Sequence, residues 1–181
     1  RAVHQEGRYE AAAELAAEAL ALFERIGDAW GRSISHRAAG QAAHALGRLR
    51  DAEAHLLVAL DLGRSLGYPD DLAASMAALG ALVLDTGDPA RAEQLAEEGL
   101  ASLDPATPSR HRGPLLVLSA LAALRSGDLA GARKRLVAAE EECERSGWAT
   151  ARTQLESARK EIESAEPAVL EGGEEDRSLL G

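Results

Sequence analysis

Aromatic residues are scarce in this chain, since Trp, Tyr and Phe together make up 3% of its 181 residues. A hydrophobic core must therefore be built mainly from Leu and Ala side chains. β-branched residues are also sparse, and no stretch alternates between apolar and polar residues over a useful length. Because both features mark β-strands, their lack predicts an all-α fold.

The sequence also lacks the residue clusters that support catalysis or metal binding. Its single cysteine, Cys143, cannot form an internal disulfide, which fits a reducing compartment. The five histidines show neither His-x-x-His nor His-Glu-x-x-His spacing, so a zinc site is not supported. No Gly-rich phosphate loop follows a strand. We therefore expect a non-catalytic protein with no metal and no cofactor.

The chain has few basic residues: 20 Lys and Arg against 30 Asp and Glu, which gives a net charge of −10. Nucleic-acid binding needs a basic footprint, so we expect no nucleic-acid partner through this segment. The longest apolar run, Pro114 to Leu124, is well short of the ~18 residues that span a membrane. With no signal peptide visible, we expect a cytoplasmic location. Since the chain opens on Arg1 and its only methionine is Met76, we expect a piece of a larger protein.

The chain repeats with a period of 40 residues. Three columns of small residues carry this repeat, the first made of glycines, the second five residues later and the third seven residues earlier. The columns are Gly7, Gly47, Gly87 and Gly127; Ala12, Ala52, Ala92 and Ala132; and Gly40, Gly80 and Ala120. A fixed period of this length is typical of proteins built from stacked helical repeats.

Each 40-residue unit divides into two helices joined at the glycine. In the second unit, Asp28 caps a first helix that ends at Gly47, and a return helix runs from Leu49 to about Gly67. The first helices of the third and fourth units are predicted over residues 72–86 and about 109–126. In the first unit, a stub over residues 1–6 turns at Gly7 into a return helix from about Tyr9 to Ile26.

These assignments give a domain over residues 1–165 with units at about 1–27, 28–67, 68–107 and 108–147. A last helix is predicted over residues 149–165, with a single apolar stripe formed by Trp148, Ala151, Leu155, Ala158 and Ile162. One buried face and one solvated face suit a helix that caps the last repeat. Residues 166–181 are acidic, contain glycine and lack apolar periodicity, which predicts a flexible tail.

The repeat resembles the tetratricopeptide repeat. In that family's pattern, the small residue of the eighth position corresponds to Gly40, Gly80 and Ala120, and the alanine of the twentieth position to Ala52, Ala92 and Ala132. The resemblance implies a right-handed α–α superhelix, or solenoid, whose first helices line a concave groove that binds a peptide or protein. The 40-residue period departs from the usual 34, and is similar to long-repeat regions of bacterial signalling proteins and transcription regulators.

The resemblance also implies which residues face the groove. The candidate binding residues are Arg37, Gln41, His44, Ala81, Leu84, Asp85, Val117, Leu121 and Arg125, with Ile34, Ala45, Ala74, Ala77, Pro114 and Leu124 beside them. Arg37 and Arg125 are the candidates for specificity, because guanidinium groups pair bidentately with carboxylates. The alternative for Val117, Leu121 and Leu124 is that they pack against the last helix and the adjacent repeat.

Two functions follow as expectations. The first is a scaffold module that binds a protein or peptide segment and serves as the sensing or interaction part of a bacterial signalling or transcription-regulatory protein. The second is a regulatory segment that controls an attached ATPase or DNA-binding domain by binding a small-molecule effector or by self-association.

Overall fold

The computed structural model of the protein describes residues 2–146 and 149–165. Over these residues the chain forms eight α-helices and no strand, as the composition predicts. The helices are α1 (Ala2–Ile26), α2 (Ala29–Ala45), α3 (Leu49–Leu66), α4 (Pro69–Asp85), α5 (Pro89–Ser102), α6 (Arg112–Arg125), α7 (Leu129–Ser146) and α8 (Ala149–Ser164).

Glycines end the helices at five turns. Gly27, Gly47, Gly67, Gly87 and Gly127 all have positive φ angles, between +69° and +93°. This left-handed conformation carries no steric cost for glycine, which has no Cβ. The predicted turns inside the second, third and fourth units are therefore confirmed.

Aspartates start several of these helices. The Asp28 carboxylate accepts hydrogen bonds from the backbone N–H groups of Trp30 and Gly31, at 3.0 and 3.1 Å. Asp88 accepts one from the N–H of Arg91, at 3.0 Å. Each bond satisfies an N–H group that has no partner within its own helix, so the Gly-Asp pairs of the sequence end one helix and begin the next.

The predicted turn at Gly7 is wrong, because α1 runs through this residue without a break. Gly7 is exposed, and a Cβ atom built on it would have no neighbour within 4 Å. Glycine permits a left-handed turn but does not enforce one, and within a helix it costs only about 1 kcal/mol relative to alanine.

Two other helix starts differ from the sequence-based boundaries. Helix α4 begins at Pro69, three residues before the expected Leu72, because proline is well suited to the first turn of a helix. Helix α6 begins at Arg112, three residues after the expected Ser109. Here Asp104 stabilises the preceding loop by accepting hydrogen bonds from the Ala106 N–H and the Thr107 hydroxyl.

Each helix packs against the next one in sequence, and α2, α4 and α6 also contact one another in order. The small-residue columns lie in these contacts. Ala52, Ala92 and Ala132 have no exposed surface, and a Cβ on Gly80 would lie 2.3 Å from a terminal carbon of Leu118. The small side chains therefore permit close approach between helices.

Helix α8 packs on α6 and α7 and covers the last pair of helices. Its residues Leu155, Ala158 and Ile162 are 7%, 1% and 1% exposed, as expected for a capping helix. Trp148 and the predicted tail over residues 166–181 lie outside the described residues. Among the helices described, none is long and apolar enough to cross a membrane.

Candidate ligand cavity

A cavity of about 620 Å³ lies between α2, α4, α6 and α8. Positions that are equivalent in the repeat converge on it, such as Arg37, Ala77 and Val117, which are 40 residues apart. Spacings of three and four residues within each helix place the lining residues on one face. The lining consists of Arg37, Gln41, His44, Ala74, Ala77, Ala78, Ala81, Leu84, Asp85, Arg110, His111, Pro114, Val117, Leu118, Leu121, Gln154, Ser157 and Ala158.

Eight of the nine candidate binding residues line this cavity. Arg125 does not, because it pairs with Glu161 of α8 through Nε at 3.0 Å and Nη2 at 2.5 Å. Of the neighbouring positions, Ala74, Ala77 and Pro114 line the cavity, whereas Ile34, Ala45 and Leu124 do not. The repeat register thus brings most of the predicted positions together.

One end of the cavity contains a buried charge pair. Arg37 donates through Nη2 to Asp71 Oδ1 at 2.9 Å, and the side chains are 14% and 6% exposed. The Ser33 hydroxyl lies 2.7 Å from Asp71 Oδ2 and 3.2 Å from the carbonyl oxygen of Ala59. Burial lowers the pKa of Arg37, against the opposing effect of Asp71. The Arg37 Nε–H is buried and has no hydrogen-bond acceptor among the described residues.

His111 lies beside this pair, just before α6. Arg110 Nε donates to His111 Nε2 at 3.1 Å. Burial, followed by the positive charges of Arg110 and Arg37, lowers the pKa of His111 to about 4, although Asp70 and Asp71 act in the opposite direction. Its imidazole is therefore neutral at pH 7, and because Nε2 accepts from Arg110, Nδ1 carries the proton and can donate a hydrogen bond.

A second polar contact joins α2 to the end of α4, where His44 Nε2 lies 2.9 Å from Asp85 Oδ2. Small and apolar side chains form the walls between the two polar ends. Ala77, Ala81 and Leu121 are half-buried, so they contribute surface to the cavity. A ligand with an apolar body and polar groups at both ends would match this pattern.

Val117 and Leu84 are core residues, each 5% exposed. Val117 shares a hydrophobic cluster with Leu155, Ala158 and Ile162 of α8, which confirms the alternative that it packs against the last helix. Leu121 and Leu124 also pack partly against this cluster. The apolar surface available to a ligand is therefore smaller than the sequence predicts.

The sequence interpretation missed seven lining residues, and the four polar ones among them are Arg110, His111, Gln154 and Ser157. The first two precede α6 in a connection that departs from the repeat register. The other two lie on the polar side of α8, which amphipathicity alone assigns to solvent. The partnership of Arg37 with Asp71 spans 34 residues, and no local pattern signals it.

His36 and His55 form another polar contact, with 3.0 Å between their Nδ1 atoms. Burial, and then the neighbouring His55 and Arg32, lower the pKa of His36. Within residues 2–146 and 149–165, no group of three or more His, Cys, Asp or Glu side chains is arranged to hold a metal ion.

The sequence matches no protein-family model and no curated protein.

Proposed function

We propose that this chain is a non-catalytic module of the tetratricopeptide-like class that binds a peptide or protein segment in the cavity between α2, α4, α6 and α8. The superhelix implied by the family resemblance and a cytoplasmic setting are part of this proposal. The observation that supports it is the convergence of repeat-equivalent positions on one cavity, with Arg37 and His111 at one end and His44 and Asp85 at the other.

Arg37 is the residue most suited to recognise a ligand. It borders the cavity, and Asp71 holds its guanidinium in place through Nη2. Its buried Nε–H has no acceptor among the described residues, and an unsatisfied buried donor costs about 1–3 kcal/mol. A ligand carboxylate or carbonyl oxygen would remove that cost if the side chains that bury this group moved aside.

The similarity to long-repeat signalling proteins further suggests where such binding operates. We propose that the module is the sensing or interaction part of a bacterial signalling or transcription-regulatory protein. This step rests on the 40-residue period and the Ala- and Leu-rich texture of the helices.

The test is a peptide-display selection against the purified chain, followed by calorimetric titration of the selected peptides. Ala81→Arg places a long cation into the half-buried wall of the cavity and should weaken binding at least tenfold. The matched control is Ala101→Arg, on an exposed position of α5 that does not line the cavity. Peptides that bind the parent and the Ala81→Arg variant equally well would contradict the proposal.

A second candidate function is the binding of a small-molecule effector that controls an attached domain. The observation in its favour is the cavity itself, because about 620 Å³ lies within the usual range for small-molecule sites and α8 closes one side. A panel of metabolites is screened by thermal shift, since ligand at about 100 times its Kd adds about 2.7 kcal/mol of stability. A metabolite that raises the melting temperature of the parent but not of Ala81→Arg would support effector binding. Peptide binding with no such metabolite would favour the peptide-binding function.

A further inference from the structure

Helix α1 carries an apolar face that the described part of the chain leaves largely exposed, with only Ala19 half-buried. Leu15, Leu22 and Ile26 are 66%, 47% and 64% exposed. With Ala19 they follow the spacing 15, 19, 22 and 26, and Ala12 extends the series by one step. Alternating steps of four and three residues form the seam by which two helices pack in a coiled coil. We call these five residues the outer stripe.

The outer stripe is separate from the face by which α1 packs inside the chain. That inner face contains Ala16, which is 5% exposed, and the half-buried Ala13, Leu20 and Phe23. Phe23 touches α2 so closely that a Cβ on Gly31 would lie 2.2 Å from its ring. Because consecutive helical residues are about 100° apart, the two faces lie side by side around α1. The outer stripe is therefore not needed for the contact with α2.

In the later units of the repeat, the residues equivalent to Ala12 of this face are buried against another helix. Ala52, Ala92 and Ala132 have no exposed surface, because the first helix of each of those units covers them. Ala12 is the equivalent residue of α1, and it is exposed. An amphipathic helix that approached α1 from this side would meet a surface of the kind that other helices cover three times in this chain.

Charges beside the outer stripe favour one occupant and one orientation. Glu18 and Arg25 are exposed and lie seven residues apart along the same edge of the stripe. In an antiparallel pair of α1 helices, Leu15 faces Ile26 and Ala19 faces Leu22 of the second helix. Arg25 then lies within two residues, about 3 Å of helix rise, of the second Glu18. In a parallel pair Glu18 would instead face Phe23 of the second helix, so the Arg25–Glu18 pairs form only in the antiparallel arrangement.

We propose that α1 is a self-association surface on which α1 of a second copy of this chain packs antiparallel through the outer stripe. The contact is symmetric, so each copy contributes the same stripe and two Arg25–Glu18 pairs form. This surface lies away from the ligand cavity, because none of its residues lines that cavity. The proposal is therefore independent of the proposed function.

The first test is sedimentation equilibrium of the full chain from low to high micromolar concentration. We expect a concentration-dependent species of twice the 19.0 kDa monomer mass. Leu15→Glu combined with Leu22→Glu should abolish it without loss of helicity, because both side chains are exposed. The matched control carries Leu57→Glu and Val137→Glu, at positions 42% and 51% exposed on other helices, and should still associate.

The second test examines orientation by exchanging charges. Arg25→Glu should weaken association about threefold to tenfold, because two surface ion pairs are replaced by like charges. Adding Glu18→Arg should restore it, since the exchanged pairs are again complementary. A chain that stays monomeric at the highest concentration overturns the proposal, as does a dimer that persists in the Leu15 and Leu22 variant. Failure of the exchange to restore association overturns the antiparallel arrangement.

Discussion

Gly7 and Gly87 occupy the same position in the repeat but have different conformations. Gly87 has a φ of +93° at the turn between α4 and α5, whereas Gly7 lies within α1. No neighbouring atom lies within 4 Å of a Cβ built on either residue. The backbone conformation alone therefore decides what a side chain costs at each site.

Alanine substitutions should consequently have opposite effects at these two glycines. Gly87→Ala should lower the free energy of unfolding by about 1–2 kcal/mol, because an L-residue in a left-handed conformation is strained. Gly7→Ala should raise it by up to about 1 kcal/mol, because alanine favours the helix. Urea denaturation of both variants measures the difference. A loss of stability in Gly7→Ala would show that this residue is a turn.

The depressed pKa of His111 makes stability depend on pH. Its pKa in the fold is about 4, against 6.5 for an unperturbed histidine. Between these values the unfolded chain binds more protons than the folded chain, so protonation favours unfolding. The contribution of His111 to stability is therefore complete above pH 6.5, declines as the pH falls to about 4, and changes no further below that.

His111→Gln should flatten this dependence. Unfolding free energies of the parent and the variant are compared by urea denaturation at intervals from pH 7 to pH 4. The parent should lose more stability over this range, because glutamine does not titrate. His36, whose pKa is also lowered, and the carboxylates titrate in both proteins and cancel in the comparison. If the unfolding free energies of the two proteins changed equally with pH, the lowered pKa of His111 would be contradicted.

Among the helices, α2 and α4 are joined by a polar contact inside the apolar packing. Asp71 of α4 accepts a hydrogen bond from Arg37 of α2. Its other carboxylate oxygen lies 2.7 Å from the hydroxyl of Ser33, which is also on α2. A buried charge that loses its partner is strongly destabilising, whereas an exposed pair contributes little. The Arg125–Glu161 pair between α6 and α8 is of the exposed kind, with side chains 45% and 38% exposed.

Asp71→Leu should therefore cost about 3–5 kcal/mol of unfolding free energy, because it leaves Arg37 buried and unpaired. Arg37→Leu in the same chain should recover much of that loss, as the double-mutant comparison will show. Glu161→Gln provides the reference, with an expected cost below about 1 kcal/mol. An Asp71→Leu variant as stable as Glu161→Gln would show that the buried pair contributes nothing.

At the scale of the whole molecule, the main contacts within the described part of the chain join helices that are neighbours or one unit apart. The buried residues form a central cluster around Leu79 and Leu82, a C-terminal cluster that includes Leu136 and Ile162, and a small third cluster around Leu115. Stability in such an arrangement is approximately a sum of contributions from neighbouring units. A destabilising substitution at one end of the chain should therefore unfold only the helices near it.

Ile162→Asp should test this by placing a charge in the C-terminal cluster. Amide hydrogen exchange should show a loss of protection in α6, α7 and α8, while α2 and α3 keep theirs. Glu163→Asp is the control at an exposed neighbouring position. A uniform loss of protection along the chain would show that the molecule unfolds as a single unit.

The sequence by itself determined the helical class, most helix ends and the small residues between helices. These features are local or periodic: Gly-Asp pairs end and begin helices, and the 40-residue register aligns Arg37, Ala77 and Val117. The same register located most of the cavity lining, because equivalent positions of packed units face the same way.

Only the tertiary structure decided the course of the chain at Gly7, the pairing of Arg37 with Asp71, the depressed pKa of His111 and the closure of the cavity by α8. Each depends on which helices meet and on what water they exclude. Gly7 fits a helix or a turn until its surroundings are known. An arginine acquires a fixed partner only when packing brings a distant carboxylate within hydrogen-bonding distance, and that distance is not encoded in any local pattern.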